Sequence, residues 1–147
     1  MTAPRWLRRG GRMVVVAAIV LAILELAMGW MLRARVSQPL ERTDRIEVAV
    51  VDREPFVVTD PAVIAQVRSF VAARPDGWTK TWHTPPVTRV DLTFLRGDVF
   101  VGRIGSGSNF FRAPAVDGGE ATRTATDAEL AAFHALLGLP PEVSRWH

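Results

Sequence analysis

The stretch VTRVDLTFLRGDVFVGRIG, Val87 to Gly105, decides the fold class. Val90, Leu92 and Phe94 alternate with Arg89, Asp91 and Thr93, and a second alternating run follows from Val99 to Ile104. Alternation with period two is the mark of a strand with one buried face. The turn between them lies at Arg96-Gly97-Asp98, and two registers compete. A two-residue Gly-Asp turn sets Leu92 opposite Arg103. A three-residue loop sets Phe94 opposite Phe100, Val90 opposite Ile104 and Asp91 opposite Arg103, with apolar residues on one face and an ion pair on the other. The second is the register expected, because a one-residue slip spoils both faces.

On either side of this hairpin the pattern is that of an α+β domain. RIEVAVVD, from Arg45, alternates as a strand, and FVV, Phe56 to Val58, is a short partner beyond the Glu54-Pro55 turn. TDPAVIAQVRSFVAARP is a helix with Asp60 as N-cap, Pro61 in the first helical position, and Ile64, Val67, Phe70 and Val71 on one stripe. NFFRAPAV and ATRT, divided by Asp117-Gly118-Gly119, are a second hairpin. TDAELAAFHALLGLPP is a final helix, opened by a Thr126/Glu129 capping box and closed by Gly138 and Pro140-Pro141. Such an order predicts an antiparallel sheet with two helices packed on one face.

Further out lies MVVVAAIVLAILELAMGWML, Met13 to Leu32, with one charged residue. A helix of that length is about 30 Å long, the thickness of a bilayer's hydrocarbon core. Arg5, Arg8, Arg9 and Arg12 precede it, Arg33 and Arg35 follow, and Trp30 sits at an interfacial position. The expected organisation is a basic tail (1–12), a transmembrane helix (13–32), a linker (33–44) and a folded domain (45–147). The clustered tail arginines favour a cytoplasmic N-terminus and an extracytoplasmic domain. A cleaved signal peptide, cut near Gly29, is the alternative, against which the apolar run is long. Within the span, Ala18, Ala22, Glu25 and Gly29 recur at steps of four, three and four. They form one stripe of small residues around a carboxyl, suited to a helix–helix contact.

Charge separates the two parts. Residues 1–43 hold seven arginines against Glu25 and Glu41, a net +5. Residues 44–147 hold ten arginines and Lys80 against thirteen acids, a net −2. The domain therefore has no basic stripe to follow a phosphate backbone, which argues against nucleic acid. With no cysteine in the chain, disulfides, thiolate metal sites and cysteine nucleophiles are excluded.

Chemistry-bearing residues are sparse. Trp78-Thr79-Lys80-Thr81-Trp82, if extended, puts Trp78, Lys80 and Trp82 on one side, an aromatic–cation–aromatic row able to stack on a sugar ring or hold an anionic group. The competing reading is that the rings fill the gap between the first domain helix and the sheet. The loop with Ser106, Ser108 and Asn109 is glycine-rich, but no helix follows it to cradle a phosphate, so it is read as a flexible rim. His83 with Ser106 or Ser108 is the weak case for a hydrolase, since no third residue orients the pair. His134 lies on the edge of the last helix's apolar face. No histidine or carboxylate spacing suits a metal, and no pattern calls for a cofactor. The sequence thus leads to a single-pass membrane protein with a small non-catalytic binding domain outside the cytoplasm. Its expected partners are the lipid bilayer and an envelope glycan, envelope protein or other membrane protein. The alternative is an assembly subunit acting through the Glu25 stripe.

Overall fold

The structure, a computed structural model, describes the backbone of residues 5–36, 40–81, 83–140 and 143; the side chains of residues 5–13, Trp30, Leu32 and Glu41 lie outside that description. Two compact units result, Met1–Arg33 and Ala34–His147.

The first unit is helix α1 (Arg5–Leu32). Its described side chains are exposed throughout, from Val14 through Leu21 to Met28. Among the described residues, no helix is long and apolar enough to cross a membrane.

The second unit is the α+β domain expected from the alternation. Its strands are β1 (Arg45–Val50), β2 (Phe56–Val58), β3 (Thr79–Lys80), β4 (Val90–Arg96), β5 (Val99–Ser106), β6 (Phe110–Pro114) and β7 (Glu120–Thr124). They form one antiparallel sheet of seven strands in the order β2-β1-β4-β5-β6-β7-β3. Helix α2 (Pro61–Ala72) carries the Asp60 cap, whose carboxylate accepts from the Ala62 N–H at 2.8 Å. Helix α3 (Asp127–Leu136) has the full Thr126/Glu129 capping box.

Both helices bury their stripes on one face of the sheet. Ile64, Val67 and Val71 of α2 and Leu130 and Phe133 of α3 meet Ile46, Val48, Leu92, Phe94, Ile104 and Phe111. Phe70, Phe111 and Phe133 join α2, β6 and α3, with ring centroids 5.2–5.9 Å apart. Edge-to-face pairs of this kind add about 0.5–1.5 kcal/mol beyond the area they bury. The other sheet face carries Glu47, Ala49, Asp91, Thr93, Arg103 and Arg112, exposed or half-buried.

The β4–β5 register is neither of the two weighed from the sequence. The turn has two residues, with Arg96 opposite Val99 and Leu95 opposite Phe100. A shift between Phe94 and Leu95 then inserts Val101, so that Phe94 faces Gly102, Leu92 faces Ile104 and Val90 faces Ser106. A bulge absorbs one extra residue, and with it the net displacement from the expected register is even. The apolar face therefore stays apolar. Asp91 and Arg103 still meet, on a diagonal, at 3.3 Å.

Part of the segment read as a linker belongs to the folded unit. Ala34 donates its N–H to the Trp78 carbonyl at 3.0 Å, Val36 bridges Ala115, and Leu40 opens a short 3₁₀ turn (Leu40–Arg42). Ala34 and Leu40 are buried. The strap meets the sheet at small residues: Val36 pairs with Ala115, and a side chain on Gly102 would touch Leu40 at 3.5 Å. Ser37–Pro39 lie outside the described residues.

Candidate functional site

Trp78 and Lys80 do alternate onto one side of the chain, but that side is the core. β3 pairs Lys80 with the fully buried Ala121. Trp78 is 3% exposed, and its indole Nε1–H donates to the Arg74 carbonyl at 2.9 Å. It holds the end of α2 and, through its own carbonyl, the strap at Ala34. A ring so placed has no face left for a sugar. Lys80 is paired with Asp117. Trp82 lies outside the described residues. Ser108 and Asn109 are exposed in the turn between β5 and β6, while His83 is exposed in the loop after β3. In α1, Ala18, Ala22, Glu25 and Gly29 are all exposed, and a methyl group on Gly29 would meet nothing within 4 Å.

Ser106 has a histidine partner, but it is His134, not His83. Ser106 Oγ and His134 Nε2 are 2.9 Å apart, with Ser106 0% and His134 2% exposed. β5 and α3 bring them together because Ser106 stands opposite Val90 on the core face and His134 follows Leu130 by one helical turn. Each is a polar residue at a position whose periodicity asks for an apolar one, a signal visible in the sequence once the two elements are known to pack together. Burial holds the imidazole pKa down to about 4, so it is neutral near pH 7. A nucleophile must be reached by its substrate. This sealed pair is instead a polar cross-brace within the core.

The open sheet face carries a charge cluster centred on Asp91. Its carboxylate accepts from the Thr88 hydroxyl and from Arg103 Nε, and Arg112 Nη2 lies 3.7 Å away. Arg112 also reaches Glu120 at 3.8 Å and donates to the Pro86 carbonyl at 3.1 Å. Two arginines against two carboxylates leave the cluster neutral. It fastens the loop before β4 across the face, and Gly105 makes room for it: a Cβ there would stand 2.6 Å from Asp91 Oδ1.

On the helix side, Glu129 is a clasp. Oε1 accepts from Arg74 Nε at 3.1 Å and Arg123 Nη2 at 3.0 Å, and Oε2 accepts from the Thr126 backbone N–H at 3.1 Å. That N–H, with Arg123 and then Arg74, holds the Glu129 carboxyl down to about 2. The Arg74 guanidinium lies 3.5 Å from the centroid of the Phe70 ring.

A concavity of about 250 Å³ opens where β1 ends, lined by Val50, Val51, Asp52, Arg53, Arg89 and Val143. The Val51 N–H donates to the Arg89 carbonyl at 2.9 Å, which fixes the rim. Asp52 turns the chain there with φ of 60°, a left-handed conformation that Asp tolerates better than most side chains. Three valines and three charged residues share its lining, and its volume lies just below the range of about 300–1,000 Å³ usual for ligand pockets. Sequence reasoning passed over these residues because Val50 and Arg89 are brought together only by the β1–β4 pairing. Among the described residues, no group of three or more His, Asp or Glu side chains is placed to hold a metal ion.

No protein-family model, curated protein or solved structure matches the chain.

Proposed function

We propose that the protein is a single-pass membrane protein whose α+β domain lies outside the cytoplasm and acts by binding rather than catalysis, with the cleft at Val50–Arg53 and Arg89 as its recognition site. The observation that carries the membrane part is α1. Its apolar side chains from Val14 to Met28 stand exposed, in the middle of a sequence, Met13 to Leu32, as long as a bilayer core is thick. Lipid is the solvent that such a surface fits. In favour of binding, the Ser–His pair is sealed from any substrate, and the cleft sets Val50, Val51 and Val143 beside Asp52, Arg53 and Arg89. That chemistry suits an envelope component with a polar group beside an apolar one.

A reporter fused to the C-terminus, active only outside the cytoplasm, tests the sidedness. Activity in the membrane fraction is the expected result; a cytoplasmic reporter, or a soluble fusion lacking α1, would reject it.

A second reading has its own observation. The Ala18–Ala22–Glu25–Gly29 stripe is uncovered in the single chain, and small residues allow close helix contact in lipid. In that reading α1 pairs with another membrane helix, and Glu25→Leu removes the crosslinked species while the domain stays folded. An unchanged crosslinking pattern would eliminate it.

A further inference from the structure

We infer that the cleft at the end of β1 takes a small zwitterion with an apolar side chain, an apolar α-amino acid or dipeptide. Its ammonium meets the Asp52 carboxylate, its carboxylate meets the Arg53 guanidinium, and its side chain lies against Val50, Val51 and Val143. The inference rests on the reading of this cleft as the recognition site and names the class of ligand it receives.

Asp52 stands where the fold elsewhere uses glycine. Among the described residues it is the one non-glycine residue with a positive φ, 60°; the other such positions are Gly77, Gly97, Gly118, Gly119 and Gly138. Glycine enters the left-handed region at no steric cost, so the turn itself has no need of a carboxylate. Backbone strain gathers where a side chain has a task of its own. The Arg53 N–H closes the turn on the Val50 carbonyl at 3.2 Å, and the Val51 N–H donates to the Arg89 carbonyl at 2.9 Å. Both charged side chains thus leave a backbone that is already fixed, which keeps the ordering cost of binding small.

Asp52 and Arg53 are adjacent, opposite in charge and line the same cleft. Both are exposed, and neither side chain has a hydrogen-bond or ion-pair partner. On the open sheet face and the helix side, by contrast, Asp91 is paired with Arg103 and Glu129 with Arg74 and Arg123. The balance of charge at the mouth does not favour a ligand of one sign. Arg53 and Arg89 stand against Asp52 and against Glu54, the next residue of the turn, and among the described residues the sum is zero. A lone anion gains from Arg53 and loses to Asp52, and a lone cation the reverse; a molecule with both charges gains from each. The walls set the rest of the ligand. Val50 and Val143 are buried and Val51 is exposed, so an aliphatic side chain laid on them removes apolar surface from water. A volume of about 250 Å³ suits one such side chain rather than a string of them.

The test titrates the methyl-labelled full-length chain, in lipid nanodiscs, with L-leucine, Leu-Leu, N-acetyl-L-leucine, L-leucinamide and N-acetyl-L-leucinamide, and reads the methyl signals of Val50, Val51 and Val143. L-Leucine or Leu-Leu should shift these signals and saturate, and the tighter of the two tells the amino acid from the dipeptide. Blocking either terminus should weaken binding about twofold to fivefold, the range of an exposed ion pair. Asp52→Asn, which keeps the left-handed turn, should abolish the difference between L-leucine and N-acetyl-L-leucine, and Arg53→Gln that between L-leucine and L-leucinamide. N-acetyl-L-leucinamide bound as tightly as L-leucine would overturn the zwitterion and leave the cleft standing as a site for a polar group beside an apolar one. Valine signals that none of these ligands moves would overturn both.

Discussion

The hydrogen bond between Ser106 and His134 illustrates what one buried polar pair imposes on a small domain. Because burial depresses the His134 pKa to about 4 from an ordinary 6.5, the unfolded chain takes up a proton in that window and the folded chain does not. Stability is therefore full above pH 6.5 and declines as the pH falls toward 4, by no more than about 1.4 kcal/mol per pH unit from this group. Urea denaturation at a series of pH values should show the decline, and the double variant Ser106→Ala/His134→Leu should flatten it. Ser106→Ala alone removes one partner of a buried imidazole and should cost about 1–3 kcal/mol. Glu129 acts lower on the scale. Its carboxyl, held near 2, contributes stability that is present above about pH 4.5 and is lost as the pH falls toward 2. Glu129→Ala should cost about 1–2 kcal/mol in the same assay, since it removes half of the capping box and the anchor of Arg74 and Arg123 together.

At the scale of elements, the sheet depends on close approach at glycine. Gly105→Ala would drive a methyl into Thr88 and Asp91, and overpacking of this kind costs about 1–3 kcal/mol. Thermal denaturation should register the loss, whereas Gly118→Ser, in a turn where a side chain would meet nothing within 4 Å, should pay only for its positive φ of 90°. These elements also show what the sequence could convey. The helices were legible down to their caps, because Asp60-Pro61 and Thr126/Glu129 satisfy orphan N–H groups by local rules that need no tertiary contact. The faces of β1 and β4 were legible for the same reason. The bulge at Val101 was not, since turn length and bulge trade off against each other and only the packed face selects the pair. The strap was missed because Ala34 and Leu40 are isolated apolar residues in a polar stretch. Their burial depends on partners such as Gly102 and Ala115, about sixty to eighty residues away. Trp78's place in the core could not be read for the same reason: strand alternation gives which residues share a side, but not which side is the core.

At the scale of the whole molecule, the folded domain begins at Ala34, sooner than the polar stretch 33–44 suggested. Trp78 fixes the start of the strap through its carbonyl, which accepts from the Ala34 N–H. Trp78→Ala should lower domain stability by about 3–5 kcal/mol and should also render the 33–44 segment newly sensitive to protease, a pairing that loss of a ligand-stacking ring would not produce. The claim beneath all of this is that α1 is held in lipid with the domain attached, and alkaline extraction of membranes from cells making the full-length chain tests it most directly. The account predicts that the intact polypeptide stays in the pellet at high pH and leaves only with detergent; intact polypeptide released into the alkaline supernatant, α1 still attached, would contradict it.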